Sequence, residues 1–353
     1  MTATEPSTVR NLSLIRWLTC LMFFTFAMTT DAVGSVIPKI IEEFSLSLTA
    51  ASAFQYATMG GIAGGALFLG FLADRLGRKP TIVLGLSLYG ASCLLFAVGH
   101  SFAAFVALLA VGGLGISVFK TGALALIGDI SVSTVSHTRL MNTVEGFFAV
   151  GAIIGPAIVA TLIASGVSWK WLYIVAAVIC IVLVAIASQV RYPQVKRATG
   201  RATLREIIGV LKDPLAIGFS LLVMLYVAVE VAIYVWMPTY LQAYDGSVEW
   251  LPAYALSIFF VLRALGRFFG AWLLGRLSWT VALVAVSLAI FLCFLGSLIQ
   301  GVEAAAWLLP LSGLFMSILY PTLNSKGISC FPKARHGAAA GVILFFTAVA
   351  AAV

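Results

Sequence analysis

The sequence predicts an all-α protein threaded repeatedly through a membrane, and three observations carry that prediction. Hydrophobic residues make up 62% of the 353 residues and charged residues only 10%, where a globular domain has roughly 45–50% and about 25%. The mean hydropathy is +1.09. The apolar residues also come in runs of about 20, the length at which a helix rising about 1.5 Å per residue crosses a hydrocarbon core about 30 Å thick. So few charges cannot clothe a soluble body of this size. The formal net charge of +8 is therefore read against the membrane and not against nucleic acid, because the basic residues stand in gaps between apolar runs.

Eleven runs are long enough to count as spans, at 15–37, 50–73, 80–99, 102–128, 139–164, 169–190, 214–238, 251–276, 279–300, 304–328 and 337–353. Span one follows Arg10 and Arg16, and its apolar run is too long for a cleaved signal, so it reads as a retained helix. Span two carries Gly65-x4-Gly70. Span four carries Gly113-Leu-Gly-Ile-Ser117, and span five carries Gly151-x3-Gly155-Pro156. Span six opens at Trp169 and Trp171, which suit the headgroup interface. The gaps are short and hold Gly, Pro or charge, as connections between antiparallel helices do. One gap differs: 191–213, RYPQVKRATGRATLREIIGVLKD, is long, polar and basic. It divides the chain into a bundle of six helices at 1–190, a basic linker at 191–213 and a bundle of five at 214–353. Span eleven is short at its end, and the repeat described below calls for a twelfth helix, so the chain is expected to be truncated at Val353.

Orientation follows from Lys and Arg. With the N-terminus inside, the inner face collects Arg10, Arg16, Arg75, Arg78, Lys79, Arg139, Arg191, Lys196, Arg197, Arg201, Arg205, Lys212, Arg276, Lys333 and Arg335, and the outer face only Lys39 and Lys170. Translocating positive charge is disfavoured, so the N-terminus is expected in the cytoplasm of a cell with this protein in its plasma (inner) membrane. The five cysteines fall within or beside apolar stretches at spacings that match no metal site, and read as small packing residues.

The halves echo one another at an offset near 200 residues. Asp31 and Pro38 of span one correspond to Glu230 and Pro238 of span seven. Gly113 and Ser117 correspond to Gly313 and Ser317 of span ten, and Gly65-x4-Gly70 is matched to Gly270-x4-Gly275 of span eight. Two similar bundles can rock about a site between them and expose it to alternate sides.

Between spans two and three stands Gly70-Phe-Leu-Ala-Asp74-Arg75-Leu-Gly77-Arg78-Lys79-Pro80. This resembles the signature loop of the major facilitator superfamily, with glycines, acid and bases in register at the right loop. The resemblance implies two pseudo-symmetric six-helix bundles, alternating access, and a gating role for Gly70, Asp74, Arg75, Gly77, Arg78 and Lys79, with Asp74 facing the N-terminus of span eleven. Tyr226-Val-Ala-Val-Glu230, Trp236-Met-Pro-Thr-Tyr240 and Gly313-Leu-Phe-Met-Ser317-Ile-Leu-Tyr-Pro321 look like the fucose–galactose–glucose:proton symporter branch. In that branch an acid in the first helix and another in the fourth are functional. Asp31 stands where the first is expected, and Lys120 stands near the place of the second.

Charges inside the bilayer cost at least about 2.5–3.5 kcal/mol each and so mark function by default. Glu230, flanked at one turn by Tyr226 and Tyr234, and Asp31, beside Thr29, Thr30 and Ser35, are the candidate proton carriers and candidate partners for sugar hydroxyls. A structural ion pair or helix clamp is the competing reading for each. Arg263 lies near the middle of span eight and keeps its proton, so it requires an anion: Glu230 or an anionic substrate. Lys120 and Glu145 lie at similar depths on adjoining spans and are expected to pair, for structure or gating. Tyr226, Trp236 and Asn324 complete the substrate candidates.

The function expected is secondary active transport by alternating access, as proton-coupled symport of a sugar. The alternatives are proton-coupled efflux of drugs, uptake of an organic anion, or a membrane sensor that does not transport. Its partners are then a small molecule, protons and the lipid bilayer, with no nucleic acid, and it works as a monomer. No cofactor and no metal are expected, the proton gradient being the energy source. An enzyme is not expected, since His100, His137 and His336 stand at span ends without a partnered nucleophile.

Overall fold

The computed structural model describes residues 6–69, 72, 76–96, 98–131, 134–192, 209, 212–331 and 336–351. Every span is helical there. Span one consists of Pro6–Thr30 and Val33–Phe44, span two of Leu48–Ala51 and Ala53–Leu69, span three of Arg78–Phe96, span four of Phe102–Asp129, span five of Thr134–Ala164 and span six of Trp171–Gln189. Span seven is Pro214–Tyr240, span eight Leu251–Leu274, span nine Trp279–Gln300, span ten Val302–Met316 and Leu319–Ser329, and span eleven His336–Ala351. Among the described residues nine helices are long and apolar enough to cross a membrane. The main helix of span two, Ala53–Leu69, and that of span eleven are shorter, 17 and 16 residues.

Local chemistry sets the helix ends. Ser101 Oγ accepts from the Ala104 amide at 3.2 Å and starts span four. Asp213 Oδ1 accepts from the Leu215 amide at 2.9 Å, with Pro214 in the first turn, where its missing N–H is no loss. Spans one and ten are jointed, which the hydropathy did not disclose because both sides of each joint are apolar. In span ten the helix stops at Met316 and resumes at Leu319. Pro321 explains it: its ring clashes with the carbonyl four residues back, that of Ser317, and it donates no hydrogen bond there. In span one the Thr29 and Thr30 hydroxyls both donate to the Phe26 carbonyl at 3.0 Å, back-bonding that loosens a helix just before the joint at Asp31 and Ala32.

The chain forms two compact units, one of Met1–Val36 and Ile40–Ala198, the other of Ile37–Lys39 and Thr199–Val353. In the first, span one packs on spans five and six, span two on four, and span three on four and six. In the second, span seven packs on eleven and on the latter part of ten, while eight and nine pack on ten. Advancing each span by six carries the pairs one–five, two–four and three–four onto seven–eleven, eight–ten and nine–ten.

The repeat extends to single contacts. Apolar burial does not drive helices together in lipid, so close approach of small residues does. A Cβ on Gly113 would lie 2.3 Å from the Thr58 carbonyl oxygen, and one on Gly313 would lie 2.5 Å from that of Phe259. Gly65 meets Ser117 and Gly266 meets Ser317 in the same way. This corrects the glycine register expected from sequence: Gly266 is the counterpart of Gly65, at the common offset, while Gly270 packs on Ile318. The first unit also holds an aromatic core. Phe96 stacks on Phe105 at 5.0 Å and on Tyr173 at 4.3 Å, and Trp169 meets Phe54, Phe96 and Phe105 edge-on. Outward faces are bare of protein, as with Phe268 at 79% and Leu298 at 83% exposure, and suit acyl chains.

Candidate functional site

Span seven is apolar along almost its whole length, yet Glu230 is buried in it at 6% exposure. The structure gives this carboxyl two partners on one oxygen. Arg263 Nη2 of span eight lies 2.6 Å from Glu230 Oε1, and the Tyr226 hydroxyl, one turn earlier on span seven, donates to the same oxygen at 2.8 Å. The Tyr226 hydroxyl is also 2.8 Å from the carbonyl oxygen of Met316, the last residue before the joint in span ten. A charge-assisted, doubly bonded carboxylate is how a buried anion is made tolerable. The same arrangement holds a group that can gain a proton beside a cation that cannot lose one. Arg263 is 26% exposed against 8% for the Glu230 side chain, so the arginine is the less buried member of the pair.

The other residues expected at the site are described each on its own element. Asp31 stands at the joint of span one, with the Thr30 hydroxyl 3.4 Å from its Oδ2. Trp236 and Asn324 are half-buried, and among the described residues neither joins the Tyr226–Glu230–Arg263 cluster. Lys120 does not reach Glu145 among the described residues; its ammonium lies over the rings of Phe148 at 5.3 Å and Phe23 at 6.0 Å. Equal depth on adjoining helices fixes height but not the direction in which a side chain leaves the axis, and here the ammonium is attracted to the faces of the two rings instead.

In the signature loop, Gly70, Asp74 and Arg75 lie outside the described residues. Gly77 has φ +93°, a conformation that glycine takes without strain. Arg78 Nε pairs with Asp129 Oδ2 at 2.7 Å, tying the start of span three to the end of span four. Lys79 Nζ donates to the carbonyls of Ser188 at 2.6 Å and Val190 at 2.9 Å, capping span six where the helix dipole is negative. These two bases are clamps between helices of one unit.

Sequence reading missed a second polar region, inside the first unit. A cavity of about 20 Å³ is lined by Thr29, Thr30, Thr58, Tyr89, Ser92 and Tyr173 among apolar neighbours. Thr29 and Tyr89 share a hydrogen bond there, and among the described residues the buried Tyr173 hydroxyl has no partner. Scattered Ser, Thr and Tyr on four spans carry no spacing signal, so only the fold reveals the group.

Comparison with known proteins places this architecture. The chain is 27% identical over 327 residues to a TsgA homolog of Edwardsiella ictaluri, covering 88% of this chain and 79% of that one. It is 25% identical over 353 residues to the glucose/galactose transporter of Brucella abortus, covering 92% and 82%. A shorter match, 28% over 178 residues and 50% of this chain, is to the chloramphenicol resistance protein CraA of Acinetobacter baumannii, 42% of which is covered. The crystal structure of the E. coli fucose:proton symporter superimposes with a TM-score of 0.64 at 21% identity, over 95% of this chain and 88% of that one. The sequence profile of the Major Facilitator Superfamily matches residues 19–353. With that match over nearly the whole chain, and with its spans paired as two copies of one pattern, the protein belongs to the Major Facilitator Superfamily, a family of membrane transporters.

Proposed function

We propose that the protein is a proton-coupled sugar symporter in which Glu230 is the coupling carboxyl. The observation that carries the reading is the Tyr226–Glu230–Arg263 cluster: a buried acid held by a permanent cation inside an otherwise apolar span. Protonation of Glu230 removes the attraction that joins spans seven and eight, and deprotonation restores it. A carboxyl with that property changes helix contacts once per proton, which is what coupling requires. Similarity to a glucose/galactose transporter over most of both chains supports a neutral sugar as the cargo.

Arg263 favours a second reading. Its guanidinium is partly exposed, and a carboxylate or phosphate substrate displacing Glu230 would make the protein an organic-anion transporter. The partial match to a chloramphenicol resistance protein keeps export of drug-like compounds against protons as a third. One experiment separates them. Cells producing the protein are suspended in weak buffer under a pH electrode, and neutral hexoses, then organic anions, are added, with Glu230→Gln in parallel. Alkalinisation on adding a hexose, lost in Glu230→Gln, is the expected result. A response confined to anions replaces the sugar reading with the anion reading. Silence to both sends the protein to efflux assays.

A further inference from the structure

The Tyr226 hydroxyl has one proton and two acceptors within 2.8 Å, the Glu230 carboxyl oxygen and the Met316 carbonyl oxygen. It can donate fully to only one of them at a time. Which acceptor wins depends on charge. A carboxylate draws a hydrogen bond roughly twice as strongly as a neutral acceptor does, so an ionised Glu230 takes the proton of Tyr226. Once neutral, a carboxyl oxygen is a poorer acceptor than an amide carbonyl, and the hydroxyl turns to Met316.

Met316 is where a change of partner matters. It ends the first part of span ten, and Pro321 prevents the helix from running straight through. The residues of the joint are packed on span eight: Ser317 against Gly266 and Ile318 against Gly270. Arg263, the ionic partner of Glu230, stands one turn from Gly266 on that same span. Span seven, the joint and span eight therefore form a closed loop of contacts within the second unit.

We propose that Tyr226 is a positioning residue that passes the protonation state of Glu230 to the joint of span ten, by donating to Glu230 when that residue is charged and to Met316 when it is neutral. This rests on Glu230 being the coupling carboxyl. The proton gained comes from water to Glu230; Tyr226 keeps its own proton and only reorients. Besides Arg263, the charged group acting on Tyr226 among the described residues is Arg267, also of span eight. Both are permanent cations, so Glu230 is the member of the cluster whose charge changes.

The test is hydrogen–deuterium exchange of the purified protein in micelles, read by mass spectrometry on peptides covering 314–322. Measurements run from about pH 5 to about pH 9, corrected for the intrinsic pH dependence with the unfolded chain. In the wild type, protection at the joint is expected to change by about 2- to 10-fold, the weight of one net hydrogen bond. Tyr226→Phe keeps the ring and is expected to remove that pH dependence. Glu230→Gln has no titrating charge and is expected to show the same protection at every pH. A purely structural hydroxyl would shift protection in Tyr226→Phe equally at all pH and leave the slope intact, which would overturn the proposal. So would a wild type whose joint shows no pH dependence. If Tyr226→Phe keeps the slope while Glu230→Gln loses it, Tyr226 is not the route and the coupling role of Glu230 stands. If Glu230→Gln itself keeps the slope, the coupling reading fails first.

Discussion

Arg263 carries a charge that no working pH removes, and Glu230 is the buried anion set against it at 2.6 Å. Removing one member of such a pair strands the other, and removing both does not. Glu230→Gln and Arg263→Met are each expected to lower the melting temperature of the solubilised protein, by the equivalent of somewhat under the about 3–5 kcal/mol typical of fully buried pairs, because Arg263 is partly exposed. The double variant is expected to recover most of the loss. A double variant as unstable as the sum of the singles would show that the two side chains act separately. This pair was legible in the sequence, since an arginine at mid-span demands an anion and Glu230 was the candidate along the chain. The third member was legible only as a nearby tyrosine. Its second acceptor is the Met316 carbonyl on another helix, and a backbone group at a break in one helix leaves no mark at the residue of another that uses it. Lys120 fails in the opposite way: depth alone offered Glu145, and the rings of Phe23 and Phe148 took the charge.

At the level of helices, the glycines of span two show what packing asks of sequence. Gly61 sits where a Cβ would be 2.2 Å from the Ala110 carbonyl oxygen of span four, whereas Gly60 and Gly64 would meet nothing within 4 Å. Gly61→Ala is therefore expected to destabilise the protein by about 1–3 kcal/mol, as overpacking against an immovable backbone does. Gly60→Ala and Gly64→Ala are expected to be neutral or to stabilise by up to about 1 kcal/mol through helix propensity alone. Melting temperatures of the three variants check this, and equal losses at all three would mean the span-two face has been assigned wrongly. The helical spans follow from hydropathy, while most of the expected linker at 191–213 lies outside the described residues; which glycine faces a neighbour does not follow, because a run so apolar has no polar stripe to mark its orientation. The same uniformity hid the joints of spans one and ten. Pro321 and the threonine pair before Asp31 were visible as residues, yet a proline within a long apolar run reads as span until the helix is seen to stop.

Over the whole molecule, two distributions have to agree: where the spans begin and end, and where the positive charge lies. The helices observed fall on the spans from which the charge asymmetry was counted, and the orientation expected from that asymmetry can be measured. With the N-terminus in the cytoplasm, the turn after span five and the loop after span seven face outward, and the end of span ten faces inward. Ser165 and Ser247 are exposed in the first two places. Cys330 is the one exposed cysteine, at the end of span ten, while Cys20, Cys93, Cys180 and Cys293 are buried. A membrane-impermeant maleimide is therefore expected to leave the native protein unlabelled in intact cells and to label it at Cys330 once the cells are permeabilised. Ser165→Cys and Ser247→Cys are each expected to add a site that reacts in intact cells. The opposite pattern would invert the molecule and place Lys79, Arg78 and the signature loop on the outer face, against the bias that resists translocating lysine and arginine. Labelling of both added cysteines from the same side also tests the repeat, because span seven, six after the first, must cross in the direction of spans one and five if the second half repeats the path of the first. One outward and one inward would break the two-copy pattern of packing even with every helix in place.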